Sequence, residues 1–245
     1  MNSDGKIWVA LDTEKSRALE IAKQVAPHPA IFGFKVNRLI DQEVFRKDGE
    51  LKLFEELAKL GLGKPIWADL KLHDIPRTVV GRLEPYVSSG LVQFVTVMAK
   101  GEIDMMAEAV EAVGNKLSII AVTELTSLSE EQVQLGSGHP TTASVINLAR
   151  NAVLAGVEHL VCSSQELEAL AKRRELKILQ KFVPGIVVAG RGDGSMDQNR
   201  VGTPTFALQK GGDKLVIGST IVHADNPLEK VEKISRGLKE CAPFN

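Results

Sequence analysis

Aromatic residues are scarce in this chain: Phe, Trp and Tyr make up 4% of its 245 residues, too few for the stacking platforms that single-strand nucleic-acid binding requires. An excess of either charge is also missing. With 30 Lys and Arg against 31 Asp and Glu, the formal charge of -1 gives no field to hold nucleic acid or an anionic lipid surface. Cysteine occurs only at Cys162 and Cys241, without C-x-x-C spacing or neighbouring histidines, so neither a disulfide framework nor a zinc site is suggested. No run approaches the roughly 18 apolar residues of a membrane span. The start, MNSDGKIWVALD, lacks the form of a signal peptide. These absences lead to the expectation of a soluble cytoplasmic protein in a reducing compartment, with no nucleic-acid or membrane partner.

What is present is alternation. Short β-branched runs, at Ile7–Leu11, Ile31–Val36, Pro65–Leu70, Gln93–Met98, Leu117–Val122, His159–Cys162, Lys181–Val183 and Lys214–Ile217, are separated by longer amphipathic stretches. The helical stretches are Glu14–Ala26, Leu51–Leu60, Pro76–Val87, Glu102–Val113, Thr142–Ala155, Gln165–Arg173, Thr203–Lys210 and Pro227–Lys239. Parallel strands joined by crossover helices give this pattern. Punctuation agrees with it: Ser164 offers an N-cap, Pro204 and Pro227 suit first helical turns, and Gly61, Gly90, Gly114, Gly156 and Gly211 fall where helices stop. Two small domains would also fit the length, but no linker interrupts the pattern, and the first turn, ALDTEKS, lacks a dinucleotide glycine fingerprint. The expected fold is one α/β domain over residues 1–245, a (β/α)8 TIM barrel with its sites at the C-terminal strand ends and with tails at 1–5 and 242–245.

Polar groups at those strand ends are therefore the candidates for chemistry. They are Asp12 after the first run, Lys35 in GFKV, Asp69 and Lys71 in WADLKLHD, and Thr123, Glu124 and Thr126 after the fifth. Because residues i and i+2 share a strand face, Trp67, Asp69 and Lys71 should point into the barrel together, away from Ala68 and Leu70. An isolated buried ion costs several kcal/mol, about as much as a small domain can spare, so an alternating array completed by Lys35 and Asp74 is expected. His73 sits beside two carboxylates, but His28, His139, His159 and His223 lie too far apart in sequence for ligand spacing, and no metal is assigned. Loops seven and eight of a barrel commonly cradle phosphate, and Gly185, Gly190, Gly192, Gly194 and Gly218 make both permissive.

The run ADLKLHDIPRTVV carries a resemblance. Its D-x-K-x-x-D element, Asp69, Lys71 and Asp74, continues as HDIP-x-T through Ile75 and Thr78, and in this it resembles the orotidine 5'-phosphate decarboxylase family. VALD at Asp12, FKV at Lys35, AVTELTSL at Thr126, VPGI at Pro184, DQNR at Gln198 and VIG at Gly218 extend the likeness over nearly the whole chain. The resemblance implies decarboxylation of orotidine 5'-phosphate to uridine 5'-phosphate, in de novo pyrimidine biosynthesis and without a cofactor. It implies that Asp69 lies against the departing carboxylate, that Lys71 protonates the C6 carbanion, and that Lys35 holds the array and contacts the ribose. It further implies a homodimer with shared sites, Asp74, Ile75 and Thr78 reaching the neighbouring subunit. Asp12 and Thr78 would bind ribose hydroxyls, Thr126 the pyrimidine edge, and Gln198 both pyrimidine and phosphate.

The phosphate end departs from the family. Ser219 follows Gly218 where the family places an arginine, and Val187 stands where bacterial members often carry another. Pro184, Gly190, Arg191, Gly218 and Ser219 are the expected phosphate residues, with Arg191 as the replacement cation. Three alternatives remain: a relative acting on a different nucleotide or sugar phosphate, a Schiff-base aldolase using Lys71, and a non-catalytic binding protein. The aldolase is disfavoured because flanking carboxylates keep an ammonium protonated.

Overall fold

In a computed structural model that describes residues 2–43, 49–187 and 202–240, the expected runs form eight parallel strands. They are β1 (Ile7–Ala10), β2 (Ile31–Val36), β3 (Ile66–Leu72), β4 (Phe94–Met98), β5 (Ser118–Val122), β6 (His159–Val161), β7 (Gln180–Val183) and β8 (Lys214–Ile217). Each pairs with the next and β8 returns to β1, so the barrel closes and no sheet edge is left open. The helices are α1 (Lys15–Val25), α2 (Arg38–Glu43), α3 (Gly49–Leu60), α4 (Pro76–Ser89), α5 (Glu102–Val113) and α6 (Glu130–Ser137). They continue as α7 (Thr141–Leu154), α8 (Leu167–Ala171), α9 (Pro204–Gln209), α10 (Ser219–Val222) and α11 (Pro227–Glu240). No described helix is long and apolar enough to cross a membrane.

Two apolar layers follow from the alternation of strand residues. Outward-facing residues such as Val9, Phe34, Ala68 and Val95 pack against the helices, while Trp8, Trp67, Ile120, Val122, Phe182 and Val216 fill the barrel. The few aromatics are concentrated inside: the Trp8 ring lies 4.9 to 5.9 Å from those of Phe32, Trp67, Phe94 and Phe182. They stop the barrel from being a pore, and the polar strand ends sit above them.

Strand β2 departs from strict alternation. Its register against β1 slips by one residue between Ile31 and Gly33, so Phe32 packs inside while Phe34 joins the outer layer. The slip turns Lys35 inward. Gly33 makes it possible, because a Cβ there would lie 2.3 Å from the Pro65 carbonyl oxygen and 2.5 Å from the Trp8 ring.

Helix ends agree with the sequence at most points. Gly90 closes α4 at φ 65°, Thr203 caps α9 by accepting from Phe206 N–H, and Pro204 and Pro227 open α9 and α11. Ser164 is a correction: α8 starts later, at Leu167, and the buried Ser164 hydroxyl makes no hydrogen bond among the described residues. Ser163 Oγ accepts from Gln165 N–H instead. Near the N-terminus, in the stretch expected as a tail, Ser3 is buried with its hydroxyl 2.9 Å from that of Ser235 in α11. Residues 241–245, including Cys241, lie outside the described residues.

Candidate active site

The C-terminal mouth of the barrel holds a cleft of about 360 Å³, with Trp67, Val122, Val161 and Val216 among its apolar lining. Lys35 from β2 and Asp69 from β3 are both nearly buried, and Lys35 Nζ lies 2.9 Å from Asp69 Oδ2. Lys71 Nζ approaches the same oxygen from the other side at 2.7 Å, and Asp12, after β1, lies 3.4 Å from Lys35. The order Asp12, Lys35, Asp69, Lys71 alternates in sign, so each ion removed from water gains an opposite neighbour.

The array sets its own protonation. Burial alone would push the Asp69 carboxyl up, but the two ammonium groups outweigh it and hold the group down to about 2. Burial would likewise lower Lys35, and the charges of Asp69 and Asp12 reverse this, raising its pKa above the ordinary lysine value. Near neutral pH a carboxylate thus stands fixed between two ammonium ions.

Local backbone geometry delivers Lys71. Pairing of β3 with β4 is irregular between Ala68 and Leu72, and Lys71 has φ 49°, in the left-handed region where a non-glycine residue is held at a cost of about 1 kcal/mol. Its N–H, released from the ladder, donates to Thr96 Oγ1 of β4 at 3.0 Å. That hydroxyl donates in turn to Asp69 Oδ1 at 2.9 Å, and the Asn37 side-chain amide donates to the Asp69 carbonyl. Thr96, fully buried, therefore ties both ions of β3 to the neighbouring strand.

On the far wall, Glu124 is buried and held by Ser144 Oγ at 2.7 Å and Lys100 Nζ at 2.8 Å. With Thr123, whose hydroxyl donates to the Val161 carbonyl, it anchors the loop that presents Thr126. The rim is completed by Pro184 and Gly185 after β7 and by Gly218, Ser219 and His223 at β8 and α10.

The structure thus brings together Asp12, Lys35, Asp69, Lys71, Thr126, Pro184, Gly218 and Ser219. Within this chain Asp12 supplies the outer carboxylate beside Lys35; Asp74 is exposed, and its Oδ1 accepts from the adjacent Ile75 N–H at 2.7 Å. Asp74, Ile75 and Thr78 do not line the cleft of their own chain. Gly190, Arg191 and Gln198, with Gly192 and Gly194, lie outside the described residues. Thr96, Asn37 and His223 were absent from the expected set. Thr96 had a signal, as the one hydroxyl in the apolar run FVTVM, whereas Asn37 and His223 had none beyond polarity. Among the described residues no three His, Cys, Asp or Glu side chains group as metal ligands.

Known proteins resemble this chain along nearly its whole length. The profile described as orotidine 5'-phosphate decarboxylase / HUMPS family matches residues 5–234. The orotidine 5'-phosphate decarboxylase of Streptococcus gordonii is 43% identical over 178 residues, covering 72% of this chain and 76% of that protein. The enzyme of the same name from Anaeromyxobacter dehalogenans is 35% identical over 240 residues, 97% of this chain and 100% of its own. The crystal structure of orotidine 5'-phosphate decarboxylase from Lactobacillus acidophilus superposes with a TM-score of 0.74 at 26% identity, covering 95% of this chain and 98% of that one. With a profile matched along nearly its whole length and relatives this similar, the chain belongs to the orotidine 5'-phosphate decarboxylase / HUMPS family.

Proposed function

We propose that this chain is a carboxy-lyase that converts orotidine 5'-phosphate to uridine 5'-phosphate and carbon dioxide without a cofactor. The observation that carries the reading is the Asp69 carboxylate, locked between Lys35 and Lys71 at the floor of the cleft. Placed beside the substrate carboxylate, Asp69 raises the energy of the bound ground state by like-charge repulsion. The C6–carboxylate bond breaks, carbon dioxide leaves, and the electron pair stays on C6. Lys71 Nζ stabilises that charge and gives C6 a proton, which solvent later returns to the lysine. Lys35 and Asp12 engage the ribose hydroxyls, and Thr126 the pyrimidine edge.

The active unit in this reading is a homodimer in which Asp74, Ile75 and Thr78 complete the partner's cleft. Support comes from Ile75, a large apolar side chain that is 65% exposed beside an exposed carboxylate and outside its own cleft. Cytoplasmic location follows from the same reading. The experiment is to mix the protein with orotidine 5'-phosphate and follow the loss of ultraviolet absorbance. Lys71→Ala and Asp74→Ala should each be nearly inactive, and their mixture should recover up to about a quarter of wild-type activity through hybrid dimers with one intact site. No turnover by the wild type sinks the decarboxylase; inactivity of the mixture sinks the shared site. A second reading, action on a different nucleotide or sugar phosphate, is favoured only by Ser219 at the phosphate end, and turnover of such a compound in preference to orotidine 5'-phosphate would establish it.

A further inference from the structure

A nucleoside monophosphate brings a phosphate carrying close to two negative charges, and among the described residues the cations in and around this cleft are nearly all committed. Lys35 is engaged by Asp69 and Asp12, Lys71 by Asp69, and Lys100, behind the wall, by Glu124. Arg17 of α1 approaches from outside, but its guanidinium is held by Glu20 at 3.0 Å and by the Ala224 carbonyl at 3.1 Å. His223 is different. It lines the cleft, is exposed, and its imidazole makes no hydrogen bond or ion pair with any described residue.

Its place in the fold also suits a phosphate. The His223 N–H donates to the Ser219 carbonyl at 3.0 Å, so the two side chains lie one helical turn apart on the same face of α10. That face stands at the end of β8, the strand beside β1, whose end carries Asp12. A ribose on Asp12 and Lys35 would stand beside Ser219 and His223, within the same cleft. The remaining described rim residues there, Pro184 to Val187 with Gly218 and Val222, carry no charge.

We infer that His223 is a phosphate-binding residue, its imidazole acting with the Ser219 hydroxyl to select phosphorylated over unphosphorylated ligands. This rests on the nucleotide reading above and adds to it the group that recognises the phosphate. The test measures inhibition of orotidine 5'-phosphate turnover by uridine 5'-phosphate and by uridine. His223→Gln should weaken uridine 5'-phosphate about threefold to tenfold, the range of a partly solvated charge-assisted hydrogen bond, and leave uridine unchanged. His223→Lys, which supplies an N–H donor on a longer stem, should return part of the loss. Unchanged uridine 5'-phosphate affinity in His223→Gln overturns the assignment and passes it to Arg191, to be checked by Arg191→Ala. Equal weakening of nucleotide and nucleoside, or no recovery in His223→Lys, also overturns it, since either marks a change of shape. Absence of wild-type turnover would instead sink the functional reading itself.

Discussion

Two lysines at opposite ends of the barrel show how environment decides what one residue type does. Lys35, at the mouth, is nearly buried between Asp69 and Asp12, and its pKa is raised. Lys214, the first residue of β8 at the floor, lies 3.8 Å from the centroid of the Phe32 ring and donates to the Gly5 carbonyl. Half-burial lowers its pKa, the neighbouring Lys6 lowers it further, and Asp213 only partly opposes, leaving it at about 8. At the mouth, charge is stabilised by charge and can act on a substrate. At the floor it is tolerated through a ring and a carbonyl, remote from the cleft at the mouth.

The sharpest way to break the contrast is Asp69→Asn, which leaves two ammonium groups facing each other and makes Lys35 resemble Lys214. Turnover should disappear, and denaturant unfolding should show a loss of about 3 to 5 kcal/mol, the cost of removing one partner from a buried ion cluster. A loss below about 1 kcal/mol would mean that the array contributes little to the fold. The acid limb should change too. Because the folded Asp69 carboxyl titrates at about 2, below its ordinary value of 3.8, its stabilisation is fully present above that value and is lost as pH falls through 2. The variant should lack this loss.

Thr96→Val tests the support beneath the array. It leaves Asp69 Oδ1 and the Lys71 N–H without their partner, and a stability loss of about 1 to 3 kcal/mol is expected. Turnover should fall about tenfold or more, since misplacing a reacting group costs rate as well as stability. Unaltered turnover would show that the β3 bulge holds Lys71 by itself.

The smallest effect belongs to the floor. Between pH 8 and the ordinary lysine value of 10.5 the unfolded chain binds the Lys214 proton that the folded chain has released, so stability should rise with pH there. Lys214→Met should remove that rise, by less than about 1 kcal/mol because the group is half exposed. Thermal unfolding of both proteins across this range measures it, and parallel curves would contradict the lowered pKa.

Much of this arrangement was legible in the chain. All eight strands fall within two residues of the apolar runs, because short β-branched segments bounded by helix-forming ones have few other ways to bury themselves. The helices α2, α6 and α10 were not anticipated; each is short, and too few turns exist for an apolar period to show. Asp69 and Lys71 were readable from the D-x-K spacing. The contact of Asp12 with Lys35 was not: the two lie 23 residues apart in sequence and meet only because their strands adjoin.

Composition and periodicity by themselves determined the class of fold, the end of the barrel that would carry chemistry, and the residue types gathered there, because burial of alternating apolar faces is a local property of the chain. Which ions touch was decided only by closure of the barrel. The slip at Gly33 that turns Lys35 inward, the bulge that frees the Lys71 N–H for Thr96, and the return of β8 beside β1 that sets His223 near Asp12 all depend on strands meeting across space. Register between strands is a pairwise quantity, and no single segment contains it.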